Sequence, residues 1–160
     1  MAGTAQEIEV DGRGRRVAVF VSRFNQEITQ RLLEGCEARL KEAGCERVDV
    51  AWVPGAFELP LVCKIAAESE RYDAIVALGS VIRGDTSHFE VVCRAVTDGL
   101  RQAILETRRP IAFEVLMTDT EQQALVRAAR PGEAGANLGR TAAETALEMA
   151  ALLETLGRKS

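Results

Sequence analysis

The chain has 160 residues, a length that fits one domain with enough interior to fold without disulfides or metal. Hydrophobic residues at 47% and charged residues at 28% exclude a disordered chain, and a net charge of −4 speaks against a nucleic-acid-coating protein, which would carry a basic excess. The single histidine, His88, is the one ordinary candidate for proton chemistry near neutral pH. Cys36, Cys45, Cys63 and Cys93 form no C-x-x-C pair, so a zinc site is not expected and the thiols read as buried and reduced. The N-terminal MAGTAQEIEV has no apolar signal core and no later apolar run approaches about 20 residues. These features predict a soluble cytoplasmic protein with no membrane or nucleic-acid partner.

Residues 1–16 read as an extended N-terminal arm and 17–158 as one α/β domain. Within the arm, Glu7–Val10 has some strand character and could pair with a neighbouring subunit's sheet edge, while the Gly12–Arg16 stretch is a solvated lead-in. Val17–Val21 is a continuous apolar run, the pattern of a strand buried on both faces. From Ile28 the apolar residues Leu32, Cys36, Leu40 and Ala43 mark one helix face, which Gly44 ends. Val48–Val53 is a second strand, placed at a sheet edge by Asp49. A helix over Leu59–Ser69, a strand over Ala74–Leu78 and a long amphipathic helix from Phe89 to Ile104 follow. Ile111–Leu116 is the fourth strand, Glu121–Ala128 a helix, 130–136 a loop rich in Gly and Pro, and Gly139–Leu156 the last helix. Strict alternation predicts a four-stranded parallel sheet with helices on both faces, a flavodoxin-like three-layer sandwich.

In such folds ligands bind beyond the carboxyl ends of the strands. Four segments follow the predicted strands: Ser22–Asn25, Pro54–Glu58, Gly79–His88 and Met117–Thr120. None is a P-loop or a dinucleotide G-x-G-x-x-G. Gly84-Asp85-Thr86-Ser87 leads directly into the helix that His88 and Phe89 begin, so free backbone N–H groups there could hold an anion. Thr86 or Ser87 acting as a simple N-cap is the plainer alternative. Phe24 could stack on a planar ring or pack on the next helix. Glu58 could bind a ligand hydroxyl or simply favour a helix dipole. Arg127, taken alone, reads as a solvated arginine.

Together these segments resemble lumazine synthases. The matching stretches are S-R-F-N at 22–25, W-V-P-G-A-F-E-L-P at 52–60 and A-L-G-S-V-I-R-G-D-T-S-H-F at 77–89, with T-D-T at 118–120, Q-A-L-V-R at 123–127 and N-x-G at 137–139. They span Val17 to Leu156 in order. The resemblance implies condensation of 5-amino-6-(D-ribitylamino)uracil with 3,4-dihydroxy-2-butanone 4-phosphate, in riboflavin biosynthesis, without metal or cofactor. It implies a homopentamer with each active site between neighbours, and in part of the family an icosahedral capsid of 60 subunits. Phe24 would stack on the ring; Ala56 and Glu58 would hold the ribityl chain, with Phe57 between them also substrate-binding; Val81 and Ile82 would line the ring site. Gly84, Asp85 and Thr86 would meet the phosphate, with Arg127 reaching it from the adjacent subunit. Phe113 would close the pocket from that same neighbour, and His88 would shuttle protons.

The match departs at 137–141. Where the family commonly has N-K-G followed by an acid, this chain has Asn137-Leu138-Gly139-Arg140-Thr141, and the preceding loop is about two residues longer. Leu138 cannot donate a hydrogen bond to a substrate, and Arg130 or Arg140 is the candidate substitute. That departure keeps open a non-catalytic flavin- or lumazine-binding shell of the same fold as the alternative to an enzyme.

Overall fold

The computed structural model describes residues 8–157, so most of the N-terminal arm and the last three residues lie outside the described residues. Four parallel strands form one sheet in the order β2-β1-β3-β4. They are β1 (Arg16–Ser22), β2 (Arg47–Val53), β3 (Ala74–Ile82) and β4 (Ile111–Thr118). Five helices connect and cover them: α1 (Gln26–Glu42), α2 (Leu59–Glu68), α3 (His88–Thr107), α4 (Glu121–Arg127) and α5 (Leu138–Gly157), with one 3-10 turn at Ala56–Glu58. No helix of the described residues is long and apolar enough to cross a membrane.

The strand order follows from burial. Val17, Val19 and Val21 of β1 and Ala74–Leu78 of β3 are fully buried, as two-sided central strands must be. β2 lies at an edge, as Asp49 foretold; its carboxylate accepts from Arg47 Nε (2.9 Å) and from the Tyr72 hydroxyl (2.7 Å). Two cores result. On one face Val17, Val19, Val21, Val76 and Leu78 pack against α1, α4 and α5; on the other Ala18, Ile75, Ala77 and Val115 pack against α2 and α3. Helices therefore cover both faces, as expected.

Two strands run further than the sequence pattern indicates. β3 continues from Gly79 to Ile82 because β4 stays in register beside it, from Gly79 opposite Val115 to Ile82 opposite Thr118. The glycine and serine that read as a loop are thus held extended by strand pairing. Ile8–Val10 forms no strand within the chain, and Val10 packs against the α1–α5 core instead; Glu7, the first residue of that expected strand, lies outside the described residues.

α1 and α5 meet through small residues. Ala142, Ala143, Ala146 and Ala150 are buried on the inner face of α5, and small side chains let helix axes approach. At the start of α5 the approach is backbone to backbone: a Cβ on Gly139 would stand 1.9 Å from the Leu32 carbonyl oxygen. That contact fixes where α5 begins, and with it the loop that joins α4 to α5.

Candidate active site

At the carboxyl ends of β1, β2 and β3 a cleft of about 580 Å3 opens. Phe24 and Asn25 line it after β1, residues 54–58 after β2, residues 80–82 from the end of β3, and Gly84, Thr86, His88, Phe89 and Val92 from the start of α3. This is where an open α/β sheet places its ligands.

Each wall has a local cause. Asn25 adopts the left-handed conformation, with φ of 56°, and its side-chain amide donates to the Ser80 carbonyl at 2.9 Å. That bond ties the start of α1 to the end of β3, and the neighbouring Phe24 is 71% exposed. An aromatic ring held in water at a cleft mouth is poised to stack on a planar ligand. Across the cleft, Pro54-Gly55 breaks β2 and the 3-10 turn presents Phe57 and Glu58, both exposed, beside the buried Ala56. The Glu58 carboxylate folds back over Gly55: a Cβ there would lie 3.1 Å from Oε2.

Loop 83–87 brings the helix N-terminus to the same cleft. Ser87, at the N-cap position of α3, makes no side-chain cap, and the nearest substitute is a 3.4 Å contact from His88 N–H to Thr86 Oγ1. The plain N-cap reading of Ser87 therefore fails, and the N–H groups of the first turn face outward with the helix dipole behind them. Arg83 holds the loop in place. Its Nε donates to Asp119 Oδ1 at 2.7 Å, its guanidinium pairs with Glu90, and it lies 4.3 Å from the Phe89 ring centroid. The guanidinium draws the Glu90 carboxyl below its usual range. His88 is exposed at the cleft wall, one residue past this anchored loop.

Of the residues singled out from sequence, Phe24, Ala56, Phe57, Glu58, Val81, Ile82, Gly84, Thr86 and His88 meet in this one cleft, with Asp85 exposed on the same loop. Phe113 and Arg127 do not line it. Phe113 sits on β4 with Thr97, Leu100, Arg101, Ile104 and Leu105, in a shallow apolar surface depression. Arg127 ends α4, exposed, its Nη1 donating to the Gln123 carbonyl at 2.9 Å. Sequence reasoning missed the anchoring roles of Asn25 and Arg83, which depend on partners 55 and 36 residues away, respectively. Phe89 and Val92, read as part of the apolar face of α3, also line the cleft, and Val92 packs against the core on that face as well. Among the described residues no group of three or more His, Cys, Asp or Glu side chains could hold a metal ion.

The 6,7-dimethyl-8-ribityllumazine synthase family profile matches residues 14–154. The chain belongs to that family. It is also 49% identical, over 148 residues, to the 6,7-dimethyl-8-ribityllumazine synthase of Thermus thermophilus, an alignment that covers 91% of this chain and 92% of that protein.

For a lumazine synthase family member, the departures at 137–141 take defined places. Leu138 is partly buried and packs against the α1–α5 core, so it serves the fold. Arg130 and Arg140, the candidate substitutes for a lysine, are both held by α1: Arg130 by Glu34 at 2.8 and 3.0 Å, Arg140 by Glu42 at 3.0 and 2.7 Å. Each pair lies at the surface, where such bonds contribute about 0–1 kcal/mol.

Proposed function

We propose that the protein condenses 5-amino-6-(D-ribitylamino)uracil with 3,4-dihydroxy-2-butanone 4-phosphate to give 6,7-dimethyl-8-ribityllumazine, releasing phosphate and water. The observation that carries this reading is the meeting, in one cleft, of an exposed aromatic ring, an uncapped helix N-terminus and the chain's single histidine. Phe24 stacks on the pyrimidine, the 56–58 turn holds the ribityl chain, and Val81 and Ile82 flank the ring. Gly84, Asp85 and Thr86 offer backbone N–H groups to the phosphate at the start of α3. A ketone beside this phosphate is then within reach of the bound amine.

Attack of that amine on the carbonyl carbon, loss of water to the imine, and expulsion of phosphate each need a proton moved near neutral pH. His88 is placed for those transfers. Holding both substrates in one cleft supplies a large part of the acceleration by itself, since orientation replaces a bimolecular encounter. Stabilisation of the departing phosphate falls to the helix N-terminus and to Arg127, whose planar fork suits a phosphate.

Arg127 and Phe113 lie away from the cleft of their own chain, so in this reading they complete the site of a neighbour in a homopentamer. Exposed apolar side chains on α2 (Leu61, Ile65), on α3 (Val91, Leu105) and on β4 (Phe113) support such packing, because isolated chains rarely leave so many uncovered. A 60-subunit shell and a cytoplasmic location are further parts of the proposal. The non-catalytic shell is the weaker alternative: the departures at 137–141 that favour it lie outside the cleft, where Leu138 packs against the α1–α5 core. Mixing purified protein with both substrates and following lumazine absorbance tests the activity. A rate no greater than the spontaneous reaction would sink it, and native mass tests the pentamer.

A further inference from the structure

The loop between α4 and α5 is fastened by one side chain. Asn137 Nδ2 donates to the carbonyls of Arg31 (2.8 Å) and Ala129 (3.2 Å), and its Oδ1 accepts from Gly139 N–H (3.0 Å). One amide thus joins α1, the exit of α4 and the start of α5. The backbone around it is equally tied. Asn137 forms an antiparallel bridge with Ala128, Ala136 N–H donates to the Val126 carbonyl at 2.9 Å, and Ala129 N–H donates to the Ala136 carbonyl at 3.3 Å.

Two glycines make room for this fastening. A Cβ on Gly35 would lie 2.2 Å from Asn137 Oδ1, and one on Gly135, whose φ is 125°, would lie 2.1 Å from the Val126 carbonyl oxygen. Arg127 stands between the two tied residues, Val126 and Ala128. Its helix has seven residues, too few to hold a conformation without tertiary support. The other end of α4 is secured by a capping box between Thr120 and Gln123. At the Arg127 end the bonds are within the helix itself: Ala128 N–H donates to the Ala124 and Leu125 carbonyls and Arg127 Nη1 to the Gln123 carbonyl, while Ala128 leaves helical geometry at φ −120°. Bonds inside α4 shape that last turn, whereas the ties to residues 136 and 137 set where the turn, and Arg127 with it, stands against α1 and α5; among the described residues no carboxylate pairs with Arg127.

We propose that Asn137 is a positioning residue for Arg127, setting the last turn of α4 so that the guanidinium meets the substrate phosphate. The proposal rests on the assignment of Arg127 to that phosphate made above. Asn137 itself touches no substrate, and its effect passes through the carbonyl of Ala129 and the Ala128 bridge to Arg127. Loss of the amide frees α4 at that end and lets the guanidinium sample directions that miss the phosphate.

The test is a double-mutant cycle on the full-length assembled protein, with Arg127→Ala, Asn137→Ala and the pair, measuring kcat and the KM of each substrate. Arg127→Ala raises the KM for the phosphorylated ketone. Asn137→Ala raises the same KM about 5- to 30-fold and leaves the KM for the pyrimidine amine within about twofold, and in the Arg127→Ala background it adds less than about twofold. Asn137→Ser, which keeps one short polar group near Gly139, gives the same pattern with a smaller rise and serves if Asn137→Ala is insoluble. Additive effects in the cycle, equal rises in both KM values, or a lowered melting temperature with neither KM changed would each reduce Asn137 to a structural role and overturn the proposal. If Arg127→Ala leaves the phosphate-side KM unchanged, the phosphate assignment itself falls, and the Asn137 proposal with it.

Discussion

Glu114 makes stability depend on pH in a direction opposite to most carboxylates, and Glu114→Gln measures it. On β4, Ala112 and Leu116 face the α1–α5 core, so alternation places Glu114 between them on the same face, opposite the fully buried Leu78. It has no hydrogen-bonding or charged partner among the described residues, and burial alone pushes its carboxyl up from 4.5 to about 7. Taken at face value that displacement corresponds to about 3.4 kcal/mol against the ionised form. The side chain is only partly buried, so solvent reduces this to about 1–2 kcal/mol.

The sign follows from proton uptake. Between pH 4.5 and 7 the native state binds more of this proton than the unfolded chain does. Stability contributed by the neutral acid is therefore fully present below 4.5 and is lost as pH rises through 7. Glu34 and Glu42, lowered by Arg130 and Arg140, act in the other sense, but they are common to both proteins and cancel in the comparison. Glu114→Gln is expected to be more stable than the parent by about 1–2 kcal/mol at pH 8, and equal to it within about 0.5 kcal/mol at pH 4.5. Urea midpoints at fixed protein concentration and ionic strength give the difference, since assembly also contributes to apparent stability. A variant no more stable than the parent at pH 8, or one with the same advantage at both pH values, refutes the reasoning.

Three further outcomes are expected. His88→Ala lowers kcat on the order of 10²-fold without abolishing turnover, because positioning survives the loss of the imidazole; an unchanged rate removes His88 from the mechanism. Gly139→Ala forces the 1.9 Å approach to the Leu32 carbonyl apart and costs about 1–3 kcal/mol, read as a melting temperature lower by several degrees. An unshifted melt would show that α5 does not start in contact with α1. Cys36 and Cys63, fully buried, with burial raising the Cys36 thiol to about 12 and the Cys63 thiol further, resist iodoacetamide at pH 8 until the protein unfolds; peptide mass mapping that finds either modified in folded protein contradicts their burial.

Much of the fold was legible because its signals are local. Val17–Val21 is apolar at every position, and Asp49 marks an edge whichever strands lie beside it. The end of β3 was not, since Gly79 and Ser80 carry turn propensity and are kept extended by pairing with β4, whose register no local pattern encodes. The cleft residues were legible by the same logic: each follows a strand, and the topology alone sends strand ends to one side. What fastens them was not. Asn25 to Ser80, Arg83 to Asp119 and Asn137 to Arg31 join residues 55, 36 and 106 positions apart. Leu138 shows the converse limit: the sequence tells that it cannot donate a hydrogen bond to a substrate, and only the structure tells that it packs against the α1–α5 core.

The same contrast bears on the proposed division of the site between neighbouring copies. The cleft is built by β1, β2, β3 and α3, while Phe113 belongs to the outer strand β4 and Arg127 to the helix that follows it. A single chain therefore offers an open cleft with Phe24 and Phe57 in water on one part of its surface, and on another an exposed Phe113 and an Arg127 that no carboxylate of the described residues pairs with. Each exposed ring costs free energy in an isolated chain, and each is relieved if a second copy brings the Phe113 and Arg127 surface to the cleft. Such a contact joins unlike surfaces, and contacts of that kind form a ring where the repeated rotation closes and an open filament where it does not. On this argument the fastening of Arg127 by Asn137 is more than local support. A residue that acts in a neighbour's site receives no guidance from its own cleft, so its direction must be set by its own chain before assembly.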